Sequence, residues 1–94
     1  MKWTLIVAAG FLGAMVTQPA AASEALAKSD GCLNCHAVDT KKVGPAFKDV
    51  AAKYKGNSDA EAMLIAKVGE GKGHPATKAK PDDLTSIVKW VLAQ

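Results

Sequence analysis

The feature that most constrains this chain is the run Cys32-Leu33-Asn34-Cys35-His36. Two thiols separated by two residues and followed directly by an imidazole are typical of covalent haem attachment, because both thiols reach the vinyl groups of one porphyrin while the imidazole lies under its iron. A sulfur-rich zinc site is excluded because the chain has two cysteines, too few for tetrahedral coordination. A thioredoxin-like dithiol is excluded because no alternating strand pattern flanks the run. We therefore predict one haem c, bound through Cys32 and Cys35, with His36 as a ligand of its iron.

Residues 1–22 have the pattern of a secretory signal peptide. Lys2 supplies a positive charge, an apolar stretch follows, and Ala20-x-Ala22 forms a small-residue cleavage site. The apolar stretch is too short to span a bilayer, which favours cleavage over an uncleaved membrane anchor. We expect a mature domain of residues 23–94 that lies in the periplasm without a membrane anchor.

Charge and length limit what this mature domain can do. The whole chain has a formal net charge of +3, and loss of Lys2 together with two haem propionates would bring the mature protein close to neutral. The lysines are scattered and have no interleaved aromatic side chains, so nucleic-acid binding is excluded. A chain this short buries too little surface for comfortable stability, and a bound haem would supply the missing apolar area.

The spacing of apolar residues predicts an all-α domain of about four helices. The first helix is expected over residues 23–30, with Ser23 as its N-cap and Gly31 as its stop. The second is expected to open at Pro45 and to continue to Tyr54. A polar loop, residues 37–44, separates these two helices.

Two more helices are predicted in the second half of the chain. Ser58 and Glu61 fit a capping box ahead of a third helix. The glycine-rich residues 69–80 are expected to form a loop. Pro81 opens the last helix, with two aspartates in its first turn. Its inward stripe comprises Leu84, Ile87, Val88 and Val91, with Trp90 beside it.

The residue on the far side of the iron decides whether the haem binds small molecules or only moves electrons. His74 is the only histidine outside the attachment run, and a neutral imidazole is a good iron ligand. Met63 is favoured as a core filler of the third helix. A lysine must lose its proton and its hydration before it can bind iron. The candidates therefore remain His74, Met63, the lysines Lys72, Lys78 and Lys80, or an open site.

Two stretches of the chain resemble the small bacterial class I cytochromes c, which shuttle electrons in the periplasm. They are residues 32–54, which include the attachment run and Gly44-Pro45, and residues 87–92, which match the C-terminal helix of that family. The resemblance implies the class I cytochrome c fold, with the first and last helices crossing. It also implies that the carbonyl of Pro45 holds the imidazole of His36.

The same resemblance points to His74 as the second iron ligand. In the family this ligand is a methionine followed by proline, at a fixed distance before the tryptophan of the last helix. His74-Pro75 lies in that position, 16 residues before Trp90, and the loop that carries it is shorter than usual. The implied ligation is bis-histidine, which lowers the reduction potential relative to histidine and methionine.

These observations favour a monohaem electron carrier over an enzyme, because no catalytic constellation accompanies the haem. We expect its partners to be periplasmic or membrane redox proteins, and the chain itself to be a monomer or weak dimer. The alternatives are a haem-based sensor or weak peroxidase in which His74 leaves the iron, and a docking domain of a larger oxidoreductase. Lysines on the two loops that border the haem are the predicted docking residues: Lys41, Lys42, Lys72, Lys78 and Lys80.

Overall fold

The computed structural model describes residues 20–94, so the predicted signal peptide lies almost entirely outside the described residues. Within this range the regular structure is helical. It comprises α1 at Ala20–Ser29, a 3-10 turn at Cys32–Asn34, α2 at Phe47–Lys53, α3 at Ala60–Glu70 and α4 at Pro81–Leu92. The prediction of an all-α domain with four helices is confirmed. Among residues 20–94 we find no helix with the length and apolarity that a bilayer crossing requires.

Helix α1 begins earlier than predicted. It already includes Ala20, the first described residue, and Ser23 lies inside it with 5% of its surface exposed, so the prediction of Ser23 as N-cap is wrong. The physical reason is the run of alanines before Ser23, because alanine has the highest helix propensity of all residues. The predicted end is confirmed, since Gly31 has a φ of 84°, a left-handed conformation that stops a helix.

Helices α2 and α3 also differ from the prediction at their N-termini. Helix α2 begins at Phe47 rather than Pro45, because Ala46 is extended with a ψ of 142°. The predicted capping box of Ser58 and Glu61 does not form. The N-cap of α3 is Asp59, without a side-chain cap, and the amide of Asp59 donates to Asn57 Oδ1 at 2.9 Å. This Asn turn replaces the box as the local support of the backbone.

Helix α4 is the element on which the others pack, since it contacts α1, α2 and α3. It starts with Pro81 at its first position and two aspartates in its first turn, as predicted. These carboxylates stabilise the helix because they lie at the positive end of its dipole. The predicted inward stripe is buried, and Trp90 is buried with it at 8% exposure.

The core lies where α1, α2 and α4 meet. Its buried cluster consists of Ala27, Phe47, Ile87, Trp90 and Val91. Helices α1 and α4, the first and the last, pack against each other, as the predicted crossing requires. Met63 is not part of this core: it lies on α3 with 43% of its surface exposed, so the prediction of a core filler is wrong. The core therefore sits beside the attachment run, which follows α1 directly.

Candidate functional site

The 3-10 turn after α1 positions both thiols. The amide of Cys35 donates to the carbonyl of Cys32 at 3.2 Å, and the amide of His36 donates to the same carbonyl at 3.0 Å. Both cysteines are partly exposed, and both thiols are free. The turn therefore presents two available thiols and an imidazole from one short segment, as the sequence predicted.

The thiol of Cys32 is partly buried. Burial raises its pKa above the usual range of a thiol, and the charge of Asp30 raises it further, since both disfavour a thiolate. One carboxylate oxygen of Asp30, Oδ2, is itself buried without a hydrogen-bond partner. The attachment run therefore has an unpaired carboxylate oxygen in its immediate surroundings, a feature that the sequence analysis did not single out.

The imidazole of His36 has a fixed orientation. Its Nδ1 lies 2.7 Å from the carbonyl oxygen of Pro45, and because a carbonyl can only accept, Nδ1 must carry the proton. Nε2 therefore keeps its lone pair and is free to bind a metal ion. The loop that brings Pro45 into place is closed by the amide of Gly44, which donates to the carbonyl of Cys35 at 2.7 Å.

Two further residues hold the same ring from its sides, and sequence reasoning missed both. A Cβ added to Gly44 would lie 2.6 Å from Nδ1 and 2.7 Å from Nε2 of His36, so only glycine fits beside the ring. Phe47 stacks against it with 5.0 Å between ring centroids and 22° between planes. The resemblance pointed to Pro45 as a partner of this ring, but neither Gly44 nor Phe47 was predicted to contact it.

His74 lies opposite His36. It is carried by the loop between α3 and α4, where Gly71 and Gly73 have left-handed φ values of 70° and 68°. The two imidazoles are 6.0 Å apart between centroids, with only 3° between their planes. Nδ1 of His74 donates to the carbonyl of Pro75 at 2.7 Å, which again leaves Nε2 with its lone pair. The structure thus brings together the two histidines that the sequence paired.

The other predicted ligand candidates lie in more exposed positions. Met63 is partly exposed on α3. Lys72 forms an ion pair with Glu70 at 3.1 Å and its side chain is 79% exposed. Lys78 and Lys80 are exposed as well. Each of these lysines keeps its hydration, which opposes the loss of a proton needed to bind iron.

The groups assembled at this site fit a covalently bound haem. Two free thiols lie in one turn, and an imidazole with a free Nε2 follows them. The ring centroid of a second imidazole lies 6.0 Å from that of the first. Four helices packed around such a site define a class I c-type cytochrome.

Comparison with known proteins gives the same assignment. The family described as Cytochrome c matches residues 20–94. Cytochrome c-551 of Pseudomonas aeruginosa is 44% identical over 78 residues, which are 76% of this chain and 75% of that protein. Cytochrome c-551 of Stutzerimonas stutzeri is 38% identical over 102 residues, which are 99% and 98% of the two chains. The chain belongs to the cytochrome c family.

Solved structures show the same fold. The class 1 cytochrome MtoD of Sideroxydans lithotrophicus ES-1 superposes with a TM-score of 0.66 at 36% identity, over 78% of this chain and 92% of that one. Wild-type cytochrome c552 of Nitrosomonas europaea gives a TM-score of 0.64 at 35% identity, over 74% and 96%. The protein is therefore a small class I cytochrome c that carries electrons on one haem c, attached at Cys32 and Cys35, and is not an enzyme.

Proposed function

We propose that the protein is a bis-histidine cytochrome c, with His36 and His74 as the two iron ligands, that shuttles single electrons between periplasmic redox proteins. The observation that carries this proposal is the facing pair of parallel imidazoles, 6.0 Å apart. When bound, haem c supplies one-electron oxidation and reduction at its iron.

The spacing of the two rings supports a shared metal ion. An imidazole nitrogen binds a metal ion at about 2 Å, and with about 1 Å from nitrogen to ring centre on each side, two ligands of one ion have centroids about 6 Å apart. The observed 6.0 Å equals this requirement.

The hydrogen bonds of the two rings support the same assignment. His36 donates from Nδ1 to Pro45, and His74 donates from Nδ1 to Pro75. Each ring is thereby held as the tautomer with a free Nε2, and the carbonyl oxygen makes that nitrogen a better electron donor. The chain thus presents the iron with two equivalent neutral ligands.

This ligand set should give the haem a lower reduction potential than in family members with one histidine and one methionine ligand. A methionine ligand raises the potential of a cytochrome c, because its sulfur stabilises ferrous iron better than an imidazole does. His74 in place of methionine therefore favours the ferric state. We infer partners with comparably low potential, bound transiently to a monomer or weak dimer, and export of residues 23–94 after cleavage of the signal peptide.

Spectroscopy of the holoprotein with its His74→Met variant tests the ligation. The wild-type ferric protein should show low-spin, two-imidazole magnetic resonance and no near-infrared sulfur-to-iron band. His74→Met should gain that band and have a higher potential, provided that residue 74 still reaches the iron. His74→Ala should bind carbon monoxide and cyanide readily.

Two outcomes would contradict the proposal. A sulfur-to-iron band in the wild-type protein would identify Met63 as the ligand. High-spin iron with ready binding of carbon monoxide would instead favour a sensor or weak peroxidase, in which the second site is open. Met63→Leu is the control, since it removes the exposed methionine of α3 and should leave all of these spectra unchanged.

A further inference from the structure

We infer that Phe47 is a positioning residue, which holds the imidazole plane of His36 parallel to that of His74 and so sets the electronic character of the iron. The inference rests on the proposed bis-histidine ligation. It adds to that proposal the group that controls the angle between the two ligand planes.

Other groups restrain the imidazole of His36 in addition to its hydrogen bond with Pro45. The bond from Nδ1 to Pro45 fixes where the ring points, but a ring can still rotate about its metal-binding axis. Phe47 and Gly44 restrict this rotation. Phe47 stacks on one side of the ring at 5.0 Å, within the normal range for aromatic pairs, and Gly44 lies against the ring so closely that no Cβ fits.

Phe47 is itself held in place by a second aromatic side chain. Trp90 meets it edge to face, with 5.5 Å between centroids and 77° between planes. Phe47 is 5% exposed and Trp90 8%, so both rings are packed in the core cluster and have little freedom to turn. The orientation of His36 is thereby connected to α4, the central helix of the fold.

His74 has no comparable support among the described contacts of its ring. Its hydrogen bond goes to the carbonyl of the next residue, Pro75, and two glycines with left-handed φ precede it in the loop. The angle of 3° between the rings depends on both imidazoles, and packing against Phe47 fixes the contribution of His36 to it. Among the described ring contacts of His36, Phe47 is the aromatic side chain that belongs to the core cluster.

The angle between two imidazole planes has a direct magnetic signature. Parallel planes interact with the same iron d orbital and separate it in energy from its partner, which gives ferric iron three well-resolved g values. Perpendicular planes leave the two orbitals nearly equal in energy, which gives one dominant feature at large g. Electron paramagnetic resonance thus reports the angle independently of electron-transfer activity.

The test is the resonance spectrum of the ferric holoprotein and of Phe47→Leu. The wild type should give three resolved g values, and Phe47→Leu should shift intensity to a feature at larger g, because leucine leaves one side of the imidazole free to rotate. Phe47→Tyr keeps the ring and should restore the wild-type spectrum. Ile87→Ala, which removes packing from the same core cluster, is the control for destabilisation alone and should leave the g values unchanged.

The outcomes separate this inference from the proposal on which it rests. A wild-type spectrum without a two-imidazole signal would overturn the bis-histidine proposal. A normal two-imidazole signal with g values unchanged in Phe47→Leu would overturn the inference only. If Phe47→Leu does not retain haem, Trp90→Leu removes the support behind Phe47, and unchanged g values in that variant would equally overturn it.

Discussion

Gly44 lies against the imidazole of His36 so closely that the position has no room for a side chain. A Cβ there would be 2.6 Å from Nδ1, far inside normal contact distance. We expect Gly44→Ala to push the ring off its hydrogen bond with Pro45 and to cost about 1–3 kcal/mol, the usual range for overpacking. Denaturant unfolding of the holoprotein, followed by the haem absorption band, measures this loss.

Gly56→Ala is the control for contact with the ring. Unlike Gly44, Gly56 has a positive φ, 80°, and a Cβ there would meet nothing within 4 Å. The substitution should cost only the backbone strain of a left-handed alanine, about 1 kcal/mol, with no change in the ferric spectrum. A ferric spectrum of Gly44→Ala that matched the wild type would contradict the role assigned to Gly44.

Covalent attachment can be tested through Cys35. We expect Cys35→Ala to retain at most one thioether bond and to become sensitive to proteases, because the haem provides much of the apolar interior of a domain this small. Stained gels under denaturing conditions show whether haem remains bound to the chain. Haem that survived such a gel in the double variant Cys32→Ala, Cys35→Ala would disprove attachment at these thiols.

We expect the reduction potential of the haem to depend on the charge of Asp30. Its buried Oδ2 has no hydrogen-bond partner, and its charge already affects Cys32. A buried negative charge favours ferric iron, so Asp30→Asn should raise the potential, on the order of tens of millivolts. Potentiometric titration measures the shift.

Asp39→Asn is the matched control for Asp30. Asp39 is 68% exposed and paired with Lys48, so solvent and the ion pair screen its charge. We therefore expect Asp39→Asn to leave the reduction potential of the haem almost unchanged. Equal shifts in both variants would show that net charge, rather than the buried position of Asp30, is responsible.

Docking is predicted to use the exposed lysines that border the site. Electron-transfer rates with an acidic partner should fall from low to high salt, because rim charges act mainly on association. Lys41→Gln and Lys42→Gln should weaken that dependence. Lys89→Gln should not, since Lys89 is on α4 beside Glu61. A rate that did not change with salt would exclude electrostatic docking.

The sequence predicted the parts of the site that depend on residue type and spacing. The attachment run, the helix stop at Gly31 and the buried stripe of α4 follow from local rules, and the structure has the run and the stop where predicted. The facing position of His74 came from resemblance, because sequence spacing alone does not say which loop residue meets His36.

The remaining features depend on contacts between distant residues. Nothing in the local sequence around Gly44 or Phe47 shows that both touch the ring of His36. The start of α1 was misplaced because propensity favoured the alanines over a serine cap. Met63 was misplaced because an apolar residue in a helix is more often buried than exposed, while the structure leaves it partly exposed.

On the proposed ligation, the facing histidines form a metal cross-link that closes a loop of about 38 residues between positions 36 and 74. A permanent cross-link of that length removes about 4 kcal/mol of conformational entropy from the unfolded chain. Because imidazole binds ferric iron more strongly than ferrous iron, this cross-link is more stable in the oxidised protein. Resistance to unfolding and reduction potential then belong to one thermodynamic cycle, in which accepting an electron weakens the link between His36 and the loop that joins α3 to α4.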